Sequence, residues 1–296
     1  MKVVFIGSVI FSNSILEYLI RSTPVEIVGV CTKKSSTFNS DFYDLGKICK
    51  KYNIKFIYCK DINNSKIMKW IKSKSPDYIF CFGWSELLSL RVLKIPRISS
   101  IGYHPSELPK NRGRHPIIWS LSLGLKYAGS SFFVMGKKPD TGKVLIQDRV
   151  KIDNNDNAHS LYVKLTNKAL KQIKPLLKIL KKNNIKNEIK SENKLSNYWR
   201  KRSYKDGEID WRMSSKNIYN LTRALHKPYP NSHFIFKSKK IEIIEAKRVI
   251  YKNNNIEPGK VLSIKNNNIL IKCGDNALLI KKYKPKTNLK KNDYLI

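Results

Sequence analysis

The sequence predicts an α/β protein: a mostly parallel sheet with helices on both faces, followed by a small, β-rich C-terminal domain of OB-like form. Over the first half, short apolar segments of strand type alternate with segments of helical periodicity, which is the pattern of a parallel sheet covered by helices. Over the last third, short strands recur between turns such as EPG, KNNN and CGDN, as in a small barrel or open sheet. We expect residues 1–195 to form a catalytic domain and 196–296 the second domain, with the polar stretch 183–194 as the hinge.

Periodicity defines the elements of the first domain. Ile15, Leu16, Leu19 and Ile20 share one face, so 13–22 is predicted as a helix. The segment DYIFCF is almost continuously apolar, as is typical of a parallel strand buried on both faces. The predicted strands are 2–6, 25–31, 54–59, 77–82, 99–103, 130–135 and 144–152, and the other helices are 42–52, 64–74 and 156–182. The long last helix has an apolar face formed by Leu161, Leu165, Leu170, Ile173, Leu177 and Leu180.

The second domain is predicted to begin with a helix at 214–225 that Ser214 caps. Its strands are expected around Phe234 and at 241–246, 261–264, 269–272 and 278–281.

In the first domain, the turn IGSVIFSNS has a single glycine, so it is not the phosphate cradle of a dinucleotide site. Ligands of parallel sheets bind beyond the carboxyl ends of the strands, which here directs attention to the loops at 83–88 and 102–116.

The formal net charge of +36 raises the question of a nucleic-acid partner. The excess is mostly lysine, spread along the whole chain and accompanied by many Asn and Ile residues, which is the bias of an AT-rich genome. A nucleic-acid binder more often gathers its cations on one face, so nucleic acid is the less favoured partner. A basic surface also attracts small anionic substrates.

The five cysteines are odd in number and form no C-x-x-C pair, which favours buried thiols in a reducing cytoplasm over disulfides or a zinc site. No metal is expected. The N-terminal segment is interrupted by polar residues and reads as a strand rather than a signal peptide. No apolar stretch is long enough to span a bilayer, so a membrane is not an expected partner.

Two residues suggest catalysis. His104 ends the strand SSIGY, and Asp140 lies in the turn PDTG between two later strands. A histidine held by a carboxylate is a common device for proton transfer and charge stabilisation. Taken singly, each residue is more typical of a loop cap or a turn, but together with the surrounding Pro-rich, Arg-Gly-Arg loop the two residues favour a site.

HPSELPKNRGRHP followed by PDTG resembles the folate-dependent formyltransferase family, whose signature is N-x-H-x-S-x-L-P-x-x-R-G and then D-x-G. The matching positions are His104, Ser106, Leu108, Pro109, Arg112, Gly113, Asp140 and Gly142. The later segments KDGEIDW and IYNLTRALHKPYPNSHF resemble the start of the family's C-terminal domain. The resemblance implies a formyltransferase-like Rossmann variant that transfers a formyl group from 10-formyltetrahydrofolate to an amine, with His104 and Asp140 as catalytic residues. The residues that it implies for folate binding, largely through backbone groups, are Trp84, Ser85, Glu86, Leu87, Leu88, Lys138 and Asp140.

The chain departs from the family at Gly102, where the signature has a catalytic Asn. Loss of one donor to a developing oxyanion typically costs on the order of a hundredfold in rate. Either His104, a backbone N–H or water suffices, or Asn111 or His115 supplies the donor, or the protein is a weak or inactive relative. Because both flanking motifs are retained, an active enzyme that tolerates Gly102 is our interpretation.

NRGRHP is closest to the YRGRAP pattern of sugar N-formyltransferases, which implies a dTDP- or UDP-linked amino sugar as acceptor. For Arg112 a role in pinning its own loop is as plausible as phosphate binding, and for Trp211 packing is favoured over stacking on the base. Two alternatives stay open: a methionyl-tRNA formyltransferase, and a weakened relative that only binds nucleotide sugar or nucleic acid. Sugar N-formyltransferases are often dimers, so a homodimer is an expected assembly. The residues assigned to acceptor binding are Pro105, Ser106, Lys110, Arg112, Arg114 and Trp211.

Overall fold

The computed structural model describes residues 1–37, 39–182 and 196–295, which form two compact units. The expected hinge at 183–194 lies outside the described residues. The first unit comprises Met1–Gly113, Ala128–Val150 and Val163–Trp199, and the second comprises Arg114–Tyr127, Lys151–Tyr162 and Arg200–Ile296. The units therefore interleave along the chain, whereas the sequence analysis expected one boundary at 195/196.

Seven strands of the described residues form the sheet of the first unit, in the order β3-β2-β1-β4-β5-β7-β8. They are β1 (Lys2–Ile6), β2 (Glu26–Thr32), β3 (Phe56–Tyr58), β4 (Tyr78–Cys81), β5 (Ser99–His104), β7 (Tyr127–Val134) and β8 (Val144–Lys151). Strands β1 to β5 pair in parallel, as predicted, but β7 runs antiparallel to β5. The strand order reverses beside β1, which is the point where ligands of such sheets bind. A separate two-stranded sheet pairs β6 (Arg112–Gly113) with β9 (Tyr198–Trp199).

The helices that accompany this sheet are α1 (Ile10–Ser22), α2 (Gly46–Lys51), α3 (Ser65–Ser73), α4 (Leu90–Leu93) and α6 (Ala158–Lys181). On α1, Ile15, Leu16 and Leu19 are fully buried, which confirms the predicted face. Helix α2 begins four residues later than predicted. The Asp44 carboxylate accepts the Gly46 N–H at 2.8 Å, which stabilises a local turn just before the helix.

Helix α6 has a buried face that differs from the predicted one at three positions. Leu170 is half-buried, whereas Ala169 and Leu176 are buried. The buried face also holds a polar residue, which the periodicity of apolar residues does not reveal. Gln172 is buried, and its amide accepts from the Ser130 hydroxyl at 2.6 Å and donates to the Ser130 carbonyl at 3.0 Å.

The second unit contains α5 (Pro116–Ser122), α7 (Ser215–Ala224) and an antiparallel five-stranded sheet. Ser214 caps α7 by accepting the Asn217 N–H, as predicted. The strands, in the order β10-β11-β14-β13-β12, are β10 (Ser232–Phe236), β11 (Lys239–Val249), β12 (Val261–Lys265), β13 (Asn268–Lys272) and β14 (Ala277–Lys284). Closure into an OB-like barrel stays a prediction.

Segments 114–127 and 151–162 join the second unit because they bind its first helix. The Arg223 guanidinium on α7 donates to the carbonyls of Asp153 and Asp156 at 3.0 and 3.1 Å. Helix α5 packs against α7. These contacts span long sequence separations, so the sequence alone placed both segments in the first domain.

The described helices include none with the length and apolar character needed to cross a membrane. All five cysteines are buried, and none of them forms a disulfide bond. Burial raises the pKa of the Cys81 and Cys273 thiols to about 12, which leaves them protonated and unreactive near neutral pH.

Candidate functional site

Strand β5 holds His104 rigidly at its end. The strand is hydrogen-bonded on both sides, to β4 and to β7, where His104 lies opposite Ser131. Only 6% of the residue is exposed. Its Nε2 lies 3.0 Å from the carbonyl oxygen of Asn111. Because a carbonyl can only accept, Nε2 carries a proton and donates it there.

Asp140 lies beside His104, with 3.7 Å between Asp140 Oδ1 and His104 Nδ1. The expectation that the two loops meet is confirmed, but not by the strand logic that suggested it. Because β7 is antiparallel, Asp140 arrives on the loop from β7 to β8, with a positive φ of 55°. Gly142 makes this loop possible, since a Cβ there would lie 1.6 Å from the Val134 carbonyl oxygen. This close approach explains the glycine of PDTG.

The second carboxylate oxygen of Asp140 ties the pair to the neighbouring loop. Asp140 Oδ2 accepts the Gly113 N–H at 3.0 Å. With Nε2 protonated, a neutral His104 would turn the lone pair of Nδ1 toward the carboxylate, which is repulsive. A proton on Nδ1 makes the approach attractive. The Nδ1 and Oδ1 atoms are thus close enough for an ion pair with a protonated ring, in a largely buried setting.

Hydrogen bonds from Ser106 and Gln147 stabilise the conformation of the first part of the Pro-rich loop. Ser106, assigned to acceptor binding, is buried; its hydroxyl donates to the Lys110 carbonyl at 3.1 Å, and its carbonyl accepts from the Ser131 hydroxyl. The Gln147 amide donates to the carbonyl of Leu108 at 2.9 Å. Ser106 therefore braces the loop, and its contact with an acceptor stays a prediction. Pro105 is half-buried and the Lys110 residue is exposed.

Arg112 is a buried cation in this loop. It is 5% exposed, its guanidinium lies 5.6 Å from the ring centre of Tyr198, and its Nε has no hydrogen-bond partner among the described residues. A buried guanidinium is stabilised by an anion or by an aromatic face. Here the aromatic contact is present, so Arg112 links its loop to Tyr198.

The space beside Gly102 is already filled. A Cβ at this position would lie 2.8 Å from Phe133 Cζ and 3.0 Å from Met135 Cγ. The side chains of Phe133 on β7 and Met135 just after it therefore occupy the space that a side chain at position 102 would need. Asn111, considered as a replacement donor, gives its backbone carbonyl to His104 and thus acts as an acceptor at that atom.

The loop expected to bind the pterin is held from several sides. Lys33 Nζ pairs with Glu86 Oε1 at 2.5 Å and lies 4.9 Å from the ring centre of Trp84. The Ser85 hydroxyl donates to the Asn39 side chain at 3.1 Å. Leu87 is exposed and Leu88 buried. The position of the loop is thus fixed independently of any ligand.

Asn63 fastens the end of the same loop. Its amide donates to the Leu87 carbonyl at 3.0 Å and accepts the Ser89 N–H at 2.7 Å. Lys138, on the second segment assigned to folate, is exposed, and its carbonyl accepts from the Thr141 hydroxyl at 2.9 Å. A Cβ at Gly136 would meet nothing within 4 Å, so there is open space beside this segment.

Two assigned residues lie in the second unit. Trp211 is 4% exposed and packs edge-to-face against Phe234 in the hydrophobic core of that unit. It has the packing role that the sequence analysis favoured, and its contact with an acceptor stays a prediction. Arg114 is exposed. Its neighbour His115 has its pKa lowered to about 4, by burial first and then by Arg202.

Sequence reasoning missed the residues that fix the site from a distance. Asn197 contacts the loop of Asn111 and Arg112, and β9 pairs with β6. These contacts carry no motif and link positions more than eighty residues apart. No group of three or more His, Cys, Asp or Glu side chains within the described ranges is arranged to hold a metal ion.

Two family models match the chain. The one described as formyl transferase matches residues 1–176, and the one described as formyl transferase, C-terminal domain, matches residues 201–295. The chain is 39% identical over 239 residues to the bifunctional polymyxin resistance protein ArnA of Wigglesworthia glossinidia brevipalpis, covering 81% of this chain but only 36% of that protein. It is 31% identical over 285 residues to the methionyl-tRNA formyltransferase of Clostridium acetobutylicum, covering 95% of this chain and 91% of that enzyme.

Solved structures share the fold. A sugar 3N-formyl transferase crystallised in the presence of dTDP and 5-N-formyl-THF superposes with a TM-score of 0.66 at 20% identity, covering 97% of this chain and 99% of that one. A 4-N formyltransferase from Francisella tularensis gives a TM-score of 0.65 at 24% identity, covering 82% of this chain and 96% of that one.

Proposed function

Because the chain belongs to the formyl transferase family, we propose that it transfers a formyl group from 10-formyltetrahydrofolate to the amine of a dTDP- or UDP-linked amino sugar. Formyl transfer and a folate-derived donor follow from the family and its folate-bound structural relatives. The observation that carries the catalytic assignment is the His104–Asp140 pair, in which the imidazole and the carboxylate lie 3.7 Å apart in a largely buried position at the end of a central strand.

The reaction needs a proton acceptor and a stabilised negative charge. As the amine nitrogen bonds to the formyl carbon it loses a proton, and negative charge develops on the formyl oxygen. The bond to the folate nitrogen then breaks, and that nitrogen takes up the proton. Nε2 of His104 is committed to Asn111, so the Nδ1 side of the ring, with Asp140, handles the proton. The positive imidazolium stabilises the charge on the formyl oxygen.

The residues fit a folate donor beside this pair. Trp84–Leu88 forms a loop whose shape is fixed by Lys33, Asn39 and Asn63, and the segment before Asp140 borders open space at Gly136. A preformed loop of this kind binds a flat heterocycle through backbone groups at little ordering cost. Backbone groups of Trp84, Ser85, Glu86, Leu87 and Leu88, together with Lys138 and Asp140, would hold it.

The acceptor is proposed to be anionic. Lys110 is exposed and Arg112 keeps an unpaired Nε. Together with Arg114 they supply cations along five residues of one loop, and guanidinium groups match phosphate oxygens. The NRGRHP sequence and the similar fold of a sugar 3N-formyl transferase crystallised in the presence of dTDP support a nucleotide sugar over a larger acceptor. Pro105 would border the same loop.

Mass spectrometry tests this function. The protein is incubated with 10-formyltetrahydrofolate and a panel of dTDP- and UDP-linked amino sugars, and a product heavier by one formyl group in place of a hydrogen is sought. The His104→Asn variant should form this product about a thousandfold more slowly. The absence of product across the panel, with tetrahydrofolate still bound, would refute the sugar assignment.

A methionyl-tRNA acceptor is the second candidate. It is favoured by the relatives named methionyl-tRNA formyltransferase, which align over 91% of their length, and by the charge of +36. Binding to tRNA through many lysines would weaken steeply with salt, because counterions are released from the phosphates. Formylation of methionyl-tRNA with such a salt dependence would establish this candidate.

A further inference from the structure

We propose that Asn197, with β9, positions the His104–Asp140 pair through the loop of Asn111–Gly113, an inference that rests on the catalytic role proposed above. The loop meets the pair at two peptide groups. The Asn111 carbonyl accepts from His104 Nε2 at 3.0 Å, and the Gly113 N–H donates to Asp140 Oδ2 at 3.0 Å. The geometry of both side chains is therefore set by where these two peptide groups lie.

Asn197 fixes the loop at its start. Its side-chain Oδ1 accepts the Asn111 N–H at 2.7 Å, and its backbone carbonyl accepts the Arg112 N–H at 3.1 Å. The first of these bonds holds Asn111 at a φ of 60°, a left-handed conformation that Asn adopts more readily than most residues. A shift of Asn111 would move its carbonyl and release the Nε2 proton of His104.

Strand β9 fixes the other end of the loop. Arg112 lies opposite Tyr198 and Gly113 opposite Trp199 in the parallel pair β6–β9. Gly113 has a φ of 99°, and a Cβ there would lie 2.3 Å from the Trp199 carbonyl oxygen. The backbones thus approach as closely as glycine permits, which places the Gly113 N–H against Asp140. The Arg112 guanidinium over Tyr198 adds a side-chain contact between the same two segments.

Asn197 and β9 together act as a strut behind the loop of Asn111–Gly113, and this strut determines which partner each ring nitrogen of His104 faces. As long as the Asn111 carbonyl accepts from Nε2, Nδ1 is the atom that faces Asp140. When the strut is weakened, the ring is free to rotate or to adopt the other tautomer, and Nδ1 no longer faces the carboxylate. Asn197 is therefore a positioning residue, which acts without touching a substrate.

The test compares Asn197→Ala with Asn197→Asp, which keeps an acceptor oxygen for the Asn111 N–H. We expect Asn197→Ala to lower kcat about tenfold, since small misplacements of catalytic groups are costly, with the KM for the folate donor nearly unchanged. Asn197→Asp should restore most of the activity. The control is Asn253→Ala, which also removes an exposed side-chain acceptor from a backbone N–H, that of Asn255, at 3.1 Å. It should change kcat little.

Side-chain ¹⁵N NMR of the histidines supplies a readout that a loss of stability would not move. The His104 signals, identified by their absence in His104→Asn, should report a protonated Nε2 in the wild type and in Asn197→Asp, and a mixed tautomer in Asn197→Ala. Unchanged His104 signals in Asn197→Ala would overturn the inference, as would equal loss of kcat in the Ala and Asp variants. Because the NMR readout needs no acceptor, it decides the inference even if the sugar assignment fails.

Discussion

Replacing Gly102 with Asn restores the residue that the family signature has at this position. The structure predicts that this substitution on its own lowers stability and does not raise activity. The new Cβ would lie 2.8 Å from Phe133 Cζ and 3.0 Å from Met135 Cγ. Phe133 is buried in β7, so its ring has little room to move. Overpacking of this kind typically costs about 1–3 kcal/mol. At about 2–4 °C for each kcal/mol, the thermal midpoint of Gly102→Asn should fall by several degrees.

The double variant with Phe133→Leu removes the obstructing end of the ring. With room for the amide, we expect kcat for formyl transfer to exceed that of the wild type by at least about tenfold, because one oxyanion donor is typically worth a hundredfold or more. The single Gly102→Asn variant should show no gain. The assays are thermal unfolding and steady-state kinetics on both variants, with Phe133→Leu as the control. A Gly102→Asn protein with higher kcat and an unchanged midpoint would refute the reasoning.

Three further changes follow from the geometry. Asp140→Asn keeps an acceptor for Gly113 but removes the charge, so kcat should fall about a hundredfold or more with the thermal midpoint nearly unchanged; an active variant would exclude proton transfer at this residue. Gly142→Ala places a Cβ 1.6 Å from a carbonyl oxygen, so the loop must shift and activity should be lost; circular dichroism checks that the protein still folds. The His115 pKa of about 4 lies below its unfolded value of 6.5, so its contribution is present above pH 6.5 and is lost as pH falls toward 4. That difference corresponds to about 3 kcal/mol at full burial, which the ring's partial exposure reduces to about 1–2 kcal/mol. His115→Asn, which suits the positive φ, should flatten the acid limb of urea-unfolding stability, and an unchanged limb would show that another group causes it.

Much of the fold could be predicted because its signals are local. The apolar face of Ile15, Leu16 and Leu19 and the cap at Ser214 depend only on residues within one or two turns, and both are present. Prediction failed where a polar side chain is buried. Gln172 lies inside the face of α6 because Ser130, 42 residues away, pairs with it, and no periodicity of apolar residues could indicate that.

The catalytic residues of the site could be predicted from the motif, but the residues that hold them in position could not. The motif brought His104 and Asp140 together correctly, although β7 runs opposite to the direction that parallel-sheet logic assumed. Ser106 belongs to the same motif but braces the loop. A motif match alone does not distinguish a residue that binds a ligand from one that stabilises the loop. Asn197 was missed because its role is a single hydrogen bond to a backbone N–H 86 residues away.

A competition assay tests the central claim most directly. The protein receives 10-formyltetrahydrofolate together with a dTDP- or UDP-linked amino sugar and methionyl-tRNA at equal concentration, and both products are quantified by mass spectrometry over time. The account predicts that the formylated sugar accumulates first, with a higher kcat/KM, and that His104→Asn slows its formation about a thousandfold. Formyl-methionyl-tRNA as the main product, with the sugar unchanged, would contradict it.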